Sequence, residues 1–264
     1  DARVKARRAL EFDLRQAIMC DGFELHYQPL VNLRDNKVCG CEALLRWRHP
    51  ERGVISPAEF IPVAEETGLI NQLGEWVLRT ACAEAATWPD DIKVSINVSP
   101  VQFKSKTLAL TVIGALAASN LPARRLELEI TEAVLISDDE TVLATLHQLR
   151  EIGVRVVMDD FGTGYSSLSY LQRFPFDKIK IDRCFIRDVA EKDGSASIVQ
   201  AVIGIARSRN TATTAEGVET EQQRDQLRTL GCTEMQGYLF SPPIAATEIS
   251  QLFLSLRENA VAVA

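Results

Sequence analysis

The chain has 264 residues, a length compatible with one large domain or two small ones. With 46% apolar and 25% charged residues it has the balance of a globular protein, which excludes a disordered, collagen-like or mucin-like chain. Against 29 Lys and Arg stand 36 Asp and Glu, and the formal charge of −7 argues against sequence-blind binding of DNA while leaving room for a small anionic ligand where metals invert the local charge.

In chain order, Asp1 to Cys20 reads as a charged amphipathic helix with Val4, Ala9, Phe12 and Ile18 among basic residues. Eight β-rich runs follow: Glu24–Leu30, Val38–Trp47, Ile92–Val98, Leu126–Thr131, Val154–Asp159, Lys178–Asp182, Ala212–Glu216 and Thr233–Gly237. Helical patterns lie between them. Ser56-Pro57-Ala58-Glu59 and Ser137-Asp138-Asp139-Glu140 are capping-box patterns, and Thr220 opens a helix that stops near Gly231. Arg34–Lys37 leaves no room for a crossover helix between the first two runs, so one strand near the start should be antiparallel. The fold class is therefore α/β, a (β/α)8 TIM-like barrel with one antiparallel strand near the N-terminus; a doubly wound sheet is the competing architecture. Ala212-Thr-Thr-Ala-Glu216 is weakly apolar for a barrel strand.

The six cysteines, Cys20, Cys39, Cys41, Cys82, Cys184 and Cys232, form no C-x-x-C pair and read as buried, reduced thiols of a cytoplasmic domain. Thr107 to Ala123, the longest uncharged stretch, is too short and polar to span a bilayer. The N-terminus lacks a signal-peptide pattern. A start at Asp1 without Met reads as a piece of a longer parent, which a membrane anchor elsewhere could hold.

Polar residues recur at the ends of the runs: Glu42, Asn97, Glu129 and Glu132, Asp159 and Asp160, Lys180, Glu216 and Gln236. The C-terminal ends of barrel strands converge on one mouth, where barrel enzymes work. Six carboxylates cannot share a pocket as anions with Lys180 alone for compensation. Divalent cations solve this, and oxygen ligands without His or Cys favour Mg²⁺ or Mn²⁺ over Zn²⁺. The Asp159-Asp160 pair suits two ions per site, one carboxylate bridging them, a clamp used in phosphoryl chemistry. Singly, each of these charges reads as a solvated surface group; together, inside apolar runs, they mark a site.

These residues resemble the EAL-domain family of cyclic di-GMP phosphodiesterases. The signature stands as Glu42-Ala43-Leu44 within Cys41–Trp47. Tyr27-Gln-Pro29, Asn97-Val-Ser99, Glu129-Ile-Thr-Glu132, Asp159–Ser167, Lys178–Asp182, Ala215–Glu219 and Gln236-Gly-Tyr238 follow the family pattern, from about Asp21 to Ile244. The resemblance implies metal ligation by Glu42, Asn97, Glu129 and Asp159 for one ion, and by Asp159 and Asp160 with Glu216 for the other. It implies that Lys180 orients the attacking water, that Glu216 is the candidate general base, and that Glu132 anchors the Asp160–Ser167 loop. Gln236 would support the metal and water network. Gln28, Arg46 and Asp182 match substrate-contacting positions, and Leu44 and Tyr238 are expected to pack on guanine. The implied reaction is hydrolysis of cyclic di-GMP to linear pGpG by water activated by two metals. The alternative is a catalytically silent cyclic di-GMP receptor; a sugar-phosphate barrel enzyme is a third reading. Residues 1–20 resemble the connector that follows a GGDEF domain and 21–264 the phosphodiesterase barrel, so a GGDEF or sensory domain in the parent and a homodimer are expected as partners.

Overall fold

The computed structural model describes residues 2–136, 140–162, 174–191 and 193–262. Eight strands close a barrel: β1 (Phe23–Asn32), β2 (Val38–His49), β4 (Lys93–Asn97), β5 (Leu126–Thr131), β6 (Arg155–Phe161), β7 (Lys178–Ile181), β8 (Ala212–Ala215) and β9 (Glu234–Met235). Two short strands, β3 (Gly53–Ile55) and β10 (Ile244–Ala245), add to β2 and β1 outside the ring. β1 is antiparallel to both barrel neighbours, β2 and β9, and the other ring pairs are parallel. The expected antiparallel strand follows from the tight 32–37 turn, where Asn32 N donates to Lys37 O at 2.8 Å and Asn36 takes φ 55°.

Helices surround the barrel: α1 (Ala2–Met19), α2 (Pro57–Thr67), α3 (Ile70–Ala85), α4 (Pro100–Lys104), α5 (Leu108–Ser119), α6 (Ala133–Ile136), α7 (Glu140–Ile152), α8 (Arg183–Ile186), α9 (Asp193–Ser208), α10 (Glu221–Leu230) and α11 (Ala246–Ala262). The apolar core lies between strands and helices, in the outward faces of the strands. Strand alternation explains this: Leu126, Leu128 and Ile130 of β5, and Ile179 and Ile181 of β7, face the helices and are buried there.

Several local expectations change. On α1 the buried face is Leu10, Leu14 and Ala17, spaced for one helical stripe, whereas Val4, Ala9 and Phe12 are exposed and Ile18 is half-buried. That stripe joins Phe23, Trp47 and Phe60 in a second apolar cluster, with Trp47 edge-on to Phe60 at 5.4 Å. Ion pairs Arg7–Glu66 and Asp13–His49 also tie α1 down. His49 Nδ1 accepts from the Glu51 and Arg52 backbone amides, and its Nε2 lies 3.3 Å from the Asp13 carboxylate.

Ser56 stands at the α2 N-cap with Pro57 behind it, yet its side chain makes no cap bond, and Glu59 pairs with Arg52 instead of closing a box. Residues 137–139 of the second proposed box lie outside the described residues. Thr220 does close a capping box with Gln223, and Gly231 ends that helix at φ 87°. A further box, Ser99 with Gln102, opens α4.

The weakly apolar β8 is explained by partners for its hydroxyls. Thr213 exchanges hydrogen bonds with Thr233, and Thr214 donates to Glu234 at 3.1 Å, so both threonines are buried at little cost. Of the cysteines, Cys41, Cys82 and Cys232 are buried, Cys39 is half-buried, and Cys20 and Cys184 are exposed, which corrects the expectation of six buried thiols. Both exposed cysteines stand beside helix ends, where surface positions follow α1 and open α8. Among the described residues no helix is long and apolar enough to cross a membrane.

Candidate active site

The inward faces of the strands carry the polar residues. In β5, the sequence Leu-Glu-Leu-Glu places Glu127 and Glu129 inside; in β7, Lys-Ile-Lys-Ile places Lys178 and Lys180 inside. Barrel interiors fill in layers supplied by alternate strands. Here one layer at the mouth consists of Glu42 (β2), Glu129 (β5), Lys180 (β7) and Gln236, just past β9. Between them stand Asn97 from β4, Asp159 from β6 and Glu216 just past β8.

Lys180 Nζ is the hub. It lies 2.6 Å from Glu129, 2.7 Å from Glu216, 3.3 Å from Glu42 and 3.6 Å from Asp159. Asn97 Nδ2 donates to Glu42 Oε1 and Gln236 Nε2 to Glu42 Oε2, each at 2.7 Å. Gln236 Nε2 also donates to Gln28 Oε1 at 2.9 Å, while Gln28 Nε2 holds the Ser241 carbonyl at 3.1 Å. Gln236 Oε1 is buried with no hydrogen-bond donor in reach, which leaves an acceptor suited to a ligand or cation.

Asp159 and Asp160 are consecutive, so regular strand geometry would send them to opposite faces. Asp160 instead takes φ 52°, and the β6–β7 ladder shifts register between Met158 and Phe161. Asp tolerates this left-handed conformation better than most residues. The result places carboxylate oxygens of Asp159, Asp160 and Glu216 within 4.8 Å of one another.

The titration behaviour follows. Burial raises the Glu129 carboxyl well above its usual range, reinforced by Glu42. Burial, only partly offset by Lys180, pushes Glu216 up to about 7. Burial and then Asp159 raise Asp160. For Glu42 burial is opposed and outweighed by Lys180 and the Gln236 and Asn97 hydrogen bonds, so its carboxyl falls. Burial disfavours the Lys180 ammonium, but Glu129, Glu216, Glu42 and Asp159 outweigh it and raise its pKa. Five carboxylates against one ammonium leave a formal −4 at the mouth, which two divalent cations cancel. An all-oxygen donor set of this kind fits a hard cation.

Among the described residues two cavities at this layer share Leu44 in their lining. One, of 710 Å³, is bounded by Glu42, Glu216, Gln236, Tyr238, Arg183 and Arg187. Tyr238 there is 68% exposed, its ring open to a ligand. The other, of 530 Å³, is more apolar and is bounded by Asn97, Glu129, Arg46, Ile61, Ile70 and Val77. Arg46 is half-buried and donates to the Leu45 carbonyl at 3.0 Å. Asp182 borders neither cavity; it caps α8 by accepting from Cys184 N at 2.8 Å, and its charge bears on Asp160.

Of the six expected carboxylates, four reach Lys180 and Asp160 joins them beside Asp159 and Glu216, while Glu132 stands apart, so the cluster is five. It accepts from Gly162 N at 3.2 Å, at the near end of the expected loop; residues 163–173 lie outside the described residues.

The sequence reading missed a second inward layer. Lys178 Nζ lies 2.6 Å from both Glu127 and Glu234, Ser95 and Thr214 donate to these glutamates at 3.1 Å, and Arg155 and Lys93 reach Glu127 at 3.1 and 3.6 Å. Its signal was present: Ser95, Glu127, Lys178, Thr214 and Glu234 each stand two residues before a mouth residue in the same β-rich run.

The EAL domain family matches residues 11–243 of this chain. The chain is 43% identical over 253 residues to a bifunctional diguanylate cyclase/cyclic di-GMP phosphodiesterase, MucR, of Pseudomonas aeruginosa, covering 94% of this chain and 37% of that protein. It is 39% identical over 247 residues to the cyclic di-GMP phosphodiesterase PdeR of Escherichia coli, covering 92% of this chain and 37% of that one. The solved PaMucR phosphodiesterase complex with c-di-GMP superposes with a TM-score of 0.86 at 44% identity, covering 91% of this chain and 99% of that one. The chain spans about a third of the length of the curated relatives it matches.

Proposed function

The chain belongs to the EAL domain family, and from that premise we propose that it hydrolyses cyclic di-GMP to linear pGpG. The observation that carries this reading is a cluster of five carboxylates with one ammonium, four of them on Lys180 and Asp160 beside Asp159 and Glu216, flanked by two cavities that meet at Leu44. A cyclic dinucleotide with two bases and two phosphates can lie across that meeting point with one base in each cavity. Tyr238 and Leu44 offer surfaces for guanine, Arg46 a planar fork for a phosphate or base edge, and Gln28 and Asp182 polar contacts.

Two Mg²⁺ or Mn²⁺ ions fit the donor set and would be held by Glu42, Asn97, Glu129 and Asp159 on one side and by Asp159, Asp160 and Glu216 on the other. When bound, they would supply charge neutralisation for the dianionic substrate and lower the pKa of water. The protein's own residues do the rest. Lys180 donates to the attacking water and holds it in line with the scissile P–O3′ bond. Glu216 takes the proton. The new P–O bond forms as the P–O3′ bond breaks, and the departing 3′-oxygen takes a proton from solvent. Asn97 and Gln236 fix Glu42 from both sides.

The purified chain with Mg²⁺ or Mn²⁺ should convert cyclic di-GMP to pGpG. EDTA should abolish turnover, and Glu42→Ala should lower it at least about 10³-fold, comparable to loss of a principal charge-stabilising group. Tight binding without turnover across a metal series would favour the silent receptor. In the parent protein, α1 serves as the connector from a GGDEF or sensory domain to the barrel of residues 21–264, in a cytoplasmic homodimer regulated through the Glu132–Gly162 contact.

A further inference from the structure

The buried layer below the mouth is outside the proposed chemistry, and it is built with the same care as the mouth. The bridge Glu129–Lys180 spans β5 to β7 at 2.6 Å, and Glu127–Lys178 spans the same two strands, two residues lower, also at 2.6 Å. Lys178 continues to Glu234 on β9 at 2.6 Å, two residues before the Gln236 that holds Glu42. Glu127 and Lys178 are almost wholly enclosed, and Glu234 is buried.

β6 lies between β5 and β7 and carries Asp159 and Asp160. Its ladder to β7 is broken at that point by the shift between Met158 and Phe161. On its β8 side β7 is regularly paired from Lys178 to Ile181, so the irregular β6 side is where side chains must fix the height of β7 against β5. A one-residue slip of a strand would turn every inward side chain to the other face, replacing Lys180 by an isoleucine. A slip of β7 against β5 must break both cross-barrel bridges together, and the lower one cannot re-form with Leu128 or Ile179 inside.

We propose that Glu127, Lys178 and Glu234 are positioning residues for the reaction: a buried ionic clamp that sets the height and register of Glu129, Lys180 and Gln236 across the irregular β6. They touch neither substrate nor ions and act through the residues two places further along their chains. Polar groups used to fix register are the best attested role for buried charges. The proposal rests on the phosphodiesterase reading for its kinetic consequence, though not for its effect on ion binding.

The test is the triple variant Glu127→Gln, Lys178→Met, Glu234→Gln. It removes the three charges together while keeping side-chain volume, so no buried ion is left unpaired; Lys93 and Arg155 are partly exposed and can turn to water. The single variant Lys178→Met is compared with it. Circular dichroism and thermal melting report the fold, calorimetry with Mn²⁺ alone reports ion affinity, and kcat and KM are measured separately. The triple variant should keep a cooperative melt and a KM within about twofold of the native chain. Its kcat and its Mn²⁺ affinity should each fall at least about tenfold, the usual cost of losing groups that orient ligands from behind. A folded triple variant with native kcat and native Mn²⁺ affinity overturns the proposal and leaves the layer structural. A native chain that binds Mn²⁺ without hydrolysing cyclic di-GMP sinks the phosphodiesterase reading instead. In that case a tenfold loss of Mn²⁺ affinity in the triple variant still supports the clamp, and an equal affinity overturns it.

Discussion

The two ends of the barrel interior use the same side-chain chemistry and differ in how its charge is met. At the lower end Glu127 and Glu234 face Lys178, Lys93 and Arg155, all within ion-pairing distance of one or other glutamate. At the mouth Glu42, Glu129, Asp159 and Glu216 share the Lys180 ammonium, and Asp160 stands beside Asp159 and Glu216. Burial of charge is tolerated in both because each carboxylate has a partner or a hydrogen bond. At the lower end cations outnumber the two glutamates. At the mouth carboxylates outnumber the one ammonium, a donor set that could hold a metal ion, and that difference separates the two layers where composition alone cannot.

The largest expected effect tests this asymmetry directly. Lys178→Met should cost about 3–5 kcal/mol, the penalty for stranding buried partners, measured by urea denaturation in EDTA, and Mn²⁺ should restore none of it. Lys180→Met should cost a comparable amount in EDTA, and Mn²⁺ should restore part of it, since divalent charge can replace the lost ammonium. Equal responses of the two variants to Mn²⁺ would erase the distinction between the layers.

A somewhat smaller effect concerns acid. Burial opposes ionisation of Glu127, but Lys178 and Lys93 outweigh it and hold its carboxyl down to about 2. A carboxyl lowered in the folded state binds its proton sooner when unfolded. Its contribution is therefore present above the unfolded value near 4.3 and is lost as pH falls towards 2, about 3 kcal/mol in all. The Glu127→Gln variant should show a flatter loss of stability than the native chain over that window. An unchanged acid limb would mean that the lower layer is less tightly paired than its distances imply.

The smallest effect belongs to the mouth. Mn²⁺ at about 100 times its dissociation constant should stabilise the native chain by about 2.7 kcal/mol. Asp159→Asn should lose most of that increment, as the residue common to both proposed ion positions. Retention of the full increment would place the cations elsewhere.

Much of this was legible in the chain itself. Strand alternation exposed Glu129 and Lys180 as charges inside apolar runs, and the Arg34–Lys37 turn foretold the antiparallel strand. The same alternation held Glu127, Lys178 and Glu234, but a sequence places residues along a strand and not across a barrel. Without the register, a second row of charges reads as a solvated face. The α1 stripe was misjudged for a related reason: Phe12 and Val4 look like core until Leu10, Leu14 and Ala17 meet Trp47 and Phe60.

The sequence by itself determined the barrel, its unusual first strand and the acids at its mouth, because periodicity, turn length and polar residues in apolar runs are local properties. Only the tertiary structure decided which acids face one ammonium, that Asp160 turns back beside Asp159, that Glu132 stands apart, and that a buried ionic layer underlies the mouth. Those outcomes depend on strand register and on a positive φ, which bring residues up to 138 positions apart into contact around Lys180.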